Sequence, residues 1–342
     1  MRWSLILVQA AFTLALIVPA AGVHADPPAR PIKVGIIGLD AHAVPWTKII
    51  NDPHAPAPIS AMKVVAAYPA YSLDIPFSND NIQKNIELLR GMGVEIAGSI
   101  EMMLAKVDAV LLLSIDGRPH PEQARPVWAT RKPLFIDKPI APSLAEIIEI
   151  YRQAEASGTP LFASSSLRYG PGLLALLHSP KIGRVLGCDA YSNSKSILPG
   201  HPDLFYYGIH GVEMLFTVMG PGCQTVARVK TDAGDIVVGV WRDGRLGTYR
   251  GIRQGQVGFG ATVFGEKGID AVHKFEGYEG LLAEIARFFQ TGKPPLGPQQ
   301  TLEIYAFLEG ADESMRLGGQ PVTLESVLAK AHLEVDARPK AP

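Results

Sequence analysis

The sequence predicts an α/β protein: a Rossmann-like parallel sheet domain followed by an α+β domain with a largely antiparallel, open-faced sheet. Three observations predict it. Short apolar runs alternate with helix-period segments through the first half. Between Gly183 and Gly265 the runs alternate apolar and polar residues and follow one another through glycine-rich turns. Helical periodicity then returns after Gly280.

Taken in order, Ile32–Gly38 (IKVGIIG) is a short apolar run of the kind a strand buried on both faces requires. Met62–Tyr68 and Val107–Ser114 are two more, and Pro133–Ile136 and Leu161–Ala163 are shorter ones. Between them, Asn81–Met92 carries Ile82, Ile86 and Leu89 on one helix face. Ser143–Ser157 is the clearest helix, with Ser143 and Glu146 as a capping box and Gly158 at its end. Strands alternating with helices imply βαβ units and right-handed crossovers. Further helices are expected at Gly280–Thr291 and Gln299–Leu317. There is no internal repeat and no long linker, and the cleft between the two domains is the default site.

The composition supports a large packed core. The chain has 342 residues, 47% hydrophobic and 19% charged, and 32 Lys+Arg against 33 Asp+Glu leave a net charge of −1. That excludes a strongly basic nucleic-acid binder and a polyanionic disordered chain. Gly (34) and Pro (28) are spread along the chain, which means many loops and no low-complexity tract. The most apolar stretch is the first. Met1-Arg2, an apolar run from Leu5 to Ala21 and Val23-His24-Ala25 before Asp26 describe a secretory signal peptide. An uncleaved anchor is the other reading. The sequence therefore divides into a signal peptide (1–25), a Rossmann-like domain (31–166), an α+β domain (167–330) and a tail (331–342). Export to the periplasm or the medium follows, with no stable membrane span after cleavage. Cys188 and Cys223 would remain, either paired or as two small buried residues. No Cys/His spacing suggests a metal site.

The order of motifs resembles the Gfo/Idh/MocA family. Val107–Leu113 followed by His120 is similar to that family's third strand and loop, and Asp137-Lys138-Pro139 is similar to its E-K-P. Ser166-Leu167-Arg168-Tyr169 leads into the second domain, and Tyr207–Glu213 (YGIHGVE) is similar to D-x-G-x-H-x-x-D. The resemblance spans about Ile32 to Leu324 and implies an NAD or NADP oxidoreductase acting on a sugar or polyol. It implies catalytic roles for Lys138, His210 and Tyr206. It implies cofactor contacts at Gly38, Leu39, Asp40, His42, Tyr68, Ser114, His120 and Lys138, and substrate contacts at Arg168, Tyr169, Tyr207 and Glu213. The chemistry suits these types, because imidazole takes a hydroxyl proton near neutral pH and an ammonium stabilises the alkoxide. A homo-oligomer is also implied, formed on the open sheet face.

The departures bear on the cofactor. The family's G-x-G-x-x-G reads Gly38-Leu39-Asp40-Ala41-His42-Ala43 here, and Asp40 would repel a pyrophosphate. Asp40 is instead a candidate cap for the following helix. The second strand ends Ala67-Tyr68-Pro69 without its ribose-binding acid, leaving Asp74 as a distant substitute. Tyr206 replaces an Asp, and tyrosine is a poor base at neutral pH. Three readings stay open: a dinucleotide oxidoreductase, a cofactor-independent lyase, isomerase or hydrolase, and a non-catalytic sugar-binding protein.

Overall fold

The computed structural model describes residues 30–338. The signal-peptide reading lies outside these residues. The first sheet has six parallel strands in the order β3-β2-β1-β4-β5-β6. They are β1 (Ile32–Ile37), β2 (Met62–Tyr68), β3 (Glu95–Ile96), β4 (Ala109–Leu112), β5 (Leu134–Ile136) and β6 (Leu161–Ala163). Their side chains are almost all buried at β1, β4, β5 and β6, as apolar runs covered by helices on both faces must be. The helices are α1 (Ala43–Ile50), α2 (Pro76–Gly91), α3 (Ile100–Leu104), α4 (His120–Trp128) and α5 (Leu144–Ser157). Helix α2 starts five residues before the apolar periodicity, because Pro76 suits a first helical turn. At α5 the Ser143 side chain accepts from Glu146 N–H and Gly158 ends the helix at φ 72°, as the sequence predicts.

A one-turn helix at Ser166–Tyr169 and α6 (Pro171–Leu177) lead into the second sheet. Its strands are β7 (Val185–Asn193), β8 (Cys223–Lys230), β9 (Gly234–Trp241), β10 (Leu246–Ile252), β11 (Gly260–Gly265), β12 (Ile269–Val272) and β13 (Val322–Thr323), in the order β12-β11-β7-β10-β9-β8-β13. Pairing is antiparallel except for β7 with β10. That exception follows from the crossover helix α7 (Gly208–Met219), which carries the chain from β7 to the far side of β10. Helix α7 is buried along almost its whole length and lies close on the sheet. A Cβ at Gly211 would meet the Tyr249 ring at 2.5 Å. The chain closes with α8 (Glu279–Thr291), α9 (Pro298–Arg316) and α10 (Leu324–Asp336). Helix α10 runs past residue 330 and packs on α5, so the end of the chain returns to the first domain. Cys188 and Cys223 are both free and buried, on strands separated by β10 and β9. Among the described residues no helix is long and apolar enough to cross a membrane.

Candidate active site

The carboxyl ends of β1, β4 and β5 and the start of α7 converge at the junction of the two domains. Asp137 and Lys138 follow β5 directly. Asp137 N–H donates to Leu112 O at 2.9 Å, which holds the turn against β4. Its Oδ1 accepts from Lys138 N–H at 2.8 Å, and its Oδ2 is paired with His42 Nδ1. The His42 ring is stacked on Trp46, with centroids 4.8 Å apart, and meets the edge of Tyr278 at 5.3 Å. Burial pushes the Asp137 carboxyl up, but its interactions with His42 and Lys138 outweigh it and leave its pKa lowered.

Lys138 Nζ stands 4.4 Å from the Tyr206 ring centroid and 5.3 Å from that of Tyr207. Its nearest protein acceptor is Tyr206 O at 3.5 Å. Burial lowers the pKa of this ammonium, with Asp137 opposing. Helix α7 brings His210 to the same place. Its Nδ1 is 2.7 Å from Ser165 Oγ, and its ring packs against Tyr207 and Phe259. Burial, with Lys138 and His42 nearby, holds the His210 imidazole well below its usual pKa, so it is neutral at physiological pH. Among the described residues neither His42 Nε2 nor His210 Nε2 has a hydrogen-bond partner. The arrangement therefore presents one ammonium and two oriented imidazoles. These can stabilise an oxyanion and move protons to and from it.

The other sequence-predicted residues fall elsewhere. Arg168 and Glu213 form a buried pair at 2.5 Å, with Ser164 Oγ 3.3 Å from the same carboxylate. They lock the one-turn helix to α7 beneath His210. Tyr169 packs beside Gly280, whose Cβ would meet its carbonyl. His120 is fully buried, its two ring nitrogens 2.9 and 3.0 Å from Ile140 O and Ser114 O, where it fastens α4 to the strand ends. Ser114 Oγ donates to Gln123. Tyr206 supplies a ring face to Lys138, and burial pushes its phenol far above the usual range, which removes it as a proton donor or base near neutral pH. Asp40 does not cap α1; the N-cap is His42 and no side chain caps that helix.

Asp40 bridges two loops instead. Its Oδ2 accepts from Ile115 N–H at 2.8 Å, and burial raises its pKa. The β1 and β4 ends are so close that a Cβ at Gly38 would lie 2.4 Å from Ser114 N, and Gly38 has φ 86°. Gly38 N–H and Leu39 N–H donate to Tyr68 O and Ala70 O, at 3.1 and 3.3 Å. The loop after β2 thus lies against the loop after β1. Beyond it Ser72 donates to Asp116 at 2.6 Å, and Asp74 takes two bonds from Arg118 at 2.8 Å each. Ile75, Ile115 and Leu198 form a small apolar cluster with Tyr206 against it, and Gly117 N–H donates to His201.

In a doubly wound sheet the crevice between the β1 and β4 ends is where a dinucleotide lies. The residues here do not fit one. A carboxylate stands across the crevice, the Leu39 and Ile115 amides are already bonded, and the distant acid, Asp74, is held by Arg118. No cluster able to hold a metal occurs among the described residues.

Residues 32–165 match the Gfo/Idh/MocA description, an oxidoreductase family with an NAD-binding Rossmann fold. This chain's first domain belongs to that family. The Gfo/Idh/MocA family consists of NAD(P)-dependent dehydrogenases and oxidoreductases. No curated protein matches. Among solved structures, the probable dehydrogenase from Thermotoga maritima is 18% identical, with a TM-score of 0.69, covering 86% of this chain and 100% of that one. The myo-inositol dehydrogenase from Lactobacillus casei in complex with NAD(H) and myo-inositol is 15% identical, with a TM-score of 0.67, covering 86% of this chain and 96% of that one. The scyllo-inositol dehydrogenase from the same organism is 15% identical with a TM-score of 0.70, covering 86% and 99%. At these identities the likeness establishes the shared fold over both domains.

Sequence reasoning placed Lys138 and His210 together and missed two of their companions. Asp137 was visible only as a variant of a motif position, and Ser165 as one of three serines after a strand. His42 was read as a cofactor contact, and the structure pairs it with Asp137 beside Lys138. The signal that points to it is a histidine at the entrance of a βα turn, two residues after an acid, in place of small residues.

Proposed function

We propose that this chain is an enzyme of the Gfo/Idh/MocA class that acts on a sugar or polyol at the interdomain cleft, with a degraded dinucleotide fingerprint. One observation carries the reading: Lys138, at the carboxyl end of β5, is joined through Asp137 to His42 and through the Tyr207 ring to His210, two imidazoles whose Nε2 atoms have no partner among the described residues. A substrate hydroxyl or carbonyl placed there meets an ammonium that stabilises oxygen charge and bases that move its proton. The half-buried Tyr207 and Tyr278 beside these groups suit the C–H face of a sugar ring. The solved myo-inositol complex of the L. casei relative supports the substrate class. Asp40, with its bond to Ile115, supports the degraded fingerprint. No step of the proposed chemistry runs through the dinucleotide.

The test is ligand-observed NMR and turnover on a sugar and polyol panel, with and without NAD(P). Binding and turnover independent of NAD(P), with turnover lost in Lys138→Met, is the expected result. NAD(P) released from the denatured protein would refute the degraded fingerprint. Binding without turnover under any condition would leave the binding-protein reading.

Two further parts of the proposal concern context. The apolar start supports export, checked by sequencing the N-terminus of the protein recovered outside the cytoplasm. Cleavage before Asp26 is expected. The outer face of the second sheet exposes Val229 (66%), Leu246 (55%) and Ile269 (66%), which supports a homo-oligomer built on that face. Val229→Asp with Ile269→Asp should shift the protein to monomer in size-exclusion chromatography with light scattering.

A further inference from the structure

The closed crevice and the free imidazoles belong to one site, and together they narrow its chemistry. Along the β1–β4 crevice Asp40 is bonded across to Ile115, which places a carboxyl group where the pyrophosphate of a hydride-accepting dinucleotide would lie. The loop after β2 is tied over the outer part by Ser72–Asp116 and Asp74–Arg118. Leu198 and His201 of the second domain cover it from the other side. What remains at the junction is a proton-transfer set. His42 is an Asp-paired imidazole, the arrangement that fixes the tautomer of a general base and stabilises its protonated form. Trp46 and Tyr278 fix its ring plane. His210 is an uncharged imidazole held through Ser165. Lys138 sits between tyrosine rings with Tyr206 O as its nearest acceptor, so much of its charge is available to a ligand oxygen.

We infer that this site catalyses a redox-neutral 1,2-proton shift on an α-hydroxy carbonyl sugar, interconverting an aldose and a ketose, with His42 as the base and no nicotinamide. The inference rests on the sugar reading above. His42 Nε2 takes the C2 proton. The electron pair of the broken C–H bond becomes the C1–C2 double bond, and the carbonyl pair moves onto O1 as an oxyanion beside Lys138. His210 passes the O2 proton to O1. The proton on His42 returns to C1 as the O2 charge collapses to a carbonyl, leaving a ketose. No electron leaves the substrate, so no oxidant or reductant is consumed. Asp137 is a positioning residue, since it acts through His42.

The experiment incubates the purified full chain in D2O with D-glucose, D-fructose, D-xylose and D-xylulose, without and with NAD(P), and follows deuterium by NMR. The expected result is solvent deuterium at C2 of an aldose or C1 of a ketose at a rate that NAD(P) does not change. His42→Gln should lower it at least about 100-fold. Asp137→Asn should lower it less and move its pH profile, which a purely structural loss would not do. Lys138→Met serves as a second variant if His42→Gln fails to fold. Exchange that appears only with NAD(P), or substrate hydrogen found on nicotinamide, would overturn the inference. Binding of these sugars without exchange would overturn it and leave the sugar reading standing. No binding of any probe would overturn both.

Discussion

The carboxyl edge of the parallel sheet has two halves that treat their polar groups in opposite ways. In the crevice between β1 and β4, and over it, the polar groups are spent within the chain: Asp40 on Ile115, Leu39 on Ala70, Asp74 and Asp116 on Arg118. On the β5 side Lys138, His42 and His210 are oriented by neighbours but keep a charge or a lone pair unspent. Buried polar atoms normally find partners. A half whose groups are satisfied is a finished interior, and a half with unsatisfied ones is arranged for something that comes from outside. The fold supplies the same edge to both, and side-chain choice alone separates them.

The largest test of this contrast lies on the open side. His42→Gln and Lys138→Met each remove a group argued to touch the reacting atoms, so turnover should fall by roughly 10²–10⁴-fold in variants whose native fold is verified by circular dichroism. An unchanged rate would show that the unspent groups are idle. Next comes Arg228, which is fully buried and bonded to Asp203 and Asp235 at 2.8 and 2.7 Å. Asp203 lies between Leu198 and Tyr206, so this pair anchors the segment that serves both halves. Arg228→Met leaves Asp203 and Asp235 to Arg253 and Lys230 but strips Asp312 of its partner, and should cost about 3–5 kcal/mol in chemical denaturation. Loss of less than 1 kcal/mol would show that the segment is anchored elsewhere.

Asp40→Gly acts on the closed side. It removes the partner of Ile115 N–H and should destabilise the protein by about 1–3 kcal/mol. Because the Asp74–Arg118 and Ile75–Ile115–Leu198 contacts remain, the variant should still fail to bind NAD in calorimetry. Micromolar binding would mean that Asp40 alone closes the crevice. The smallest expected effect is on pH. Burial lowers the pKa of His210 and His120, so below about 6.5 the unfolded chain takes up protons that the folded one does not. Stability is therefore fully present above that pH and falls as the pH drops through it. His210→Gln should flatten part of that fall in urea titrations at pH 7 and pH 5.

The parallel strands, the helix ends at Ser143 and Gly158 and the meeting of Lys138 with His210 were legible in the sequence, because buried parallel strands, caps and motif order are local or ordered signals. The reach of Asp40 was not. An acid before a helix reads as a cap, and only the approach of the β4 loop, 75 residues later, offers it a better donor in Ile115 N–H. The same holds for His42, whose partner Asp137 lies 95 residues away.

The sequence by itself therefore determined the α/β class, the balanced charge that excludes nucleic acid, and which residue types line the strand ends. Periodicity and composition act within a few residues, and these properties need no more than that. The tertiary structure decided which polar groups are spent on one another and which are left free. That outcome depends on distances between residues far apart in the chain, and those distances exist only once the two domains have closed on their shared edge.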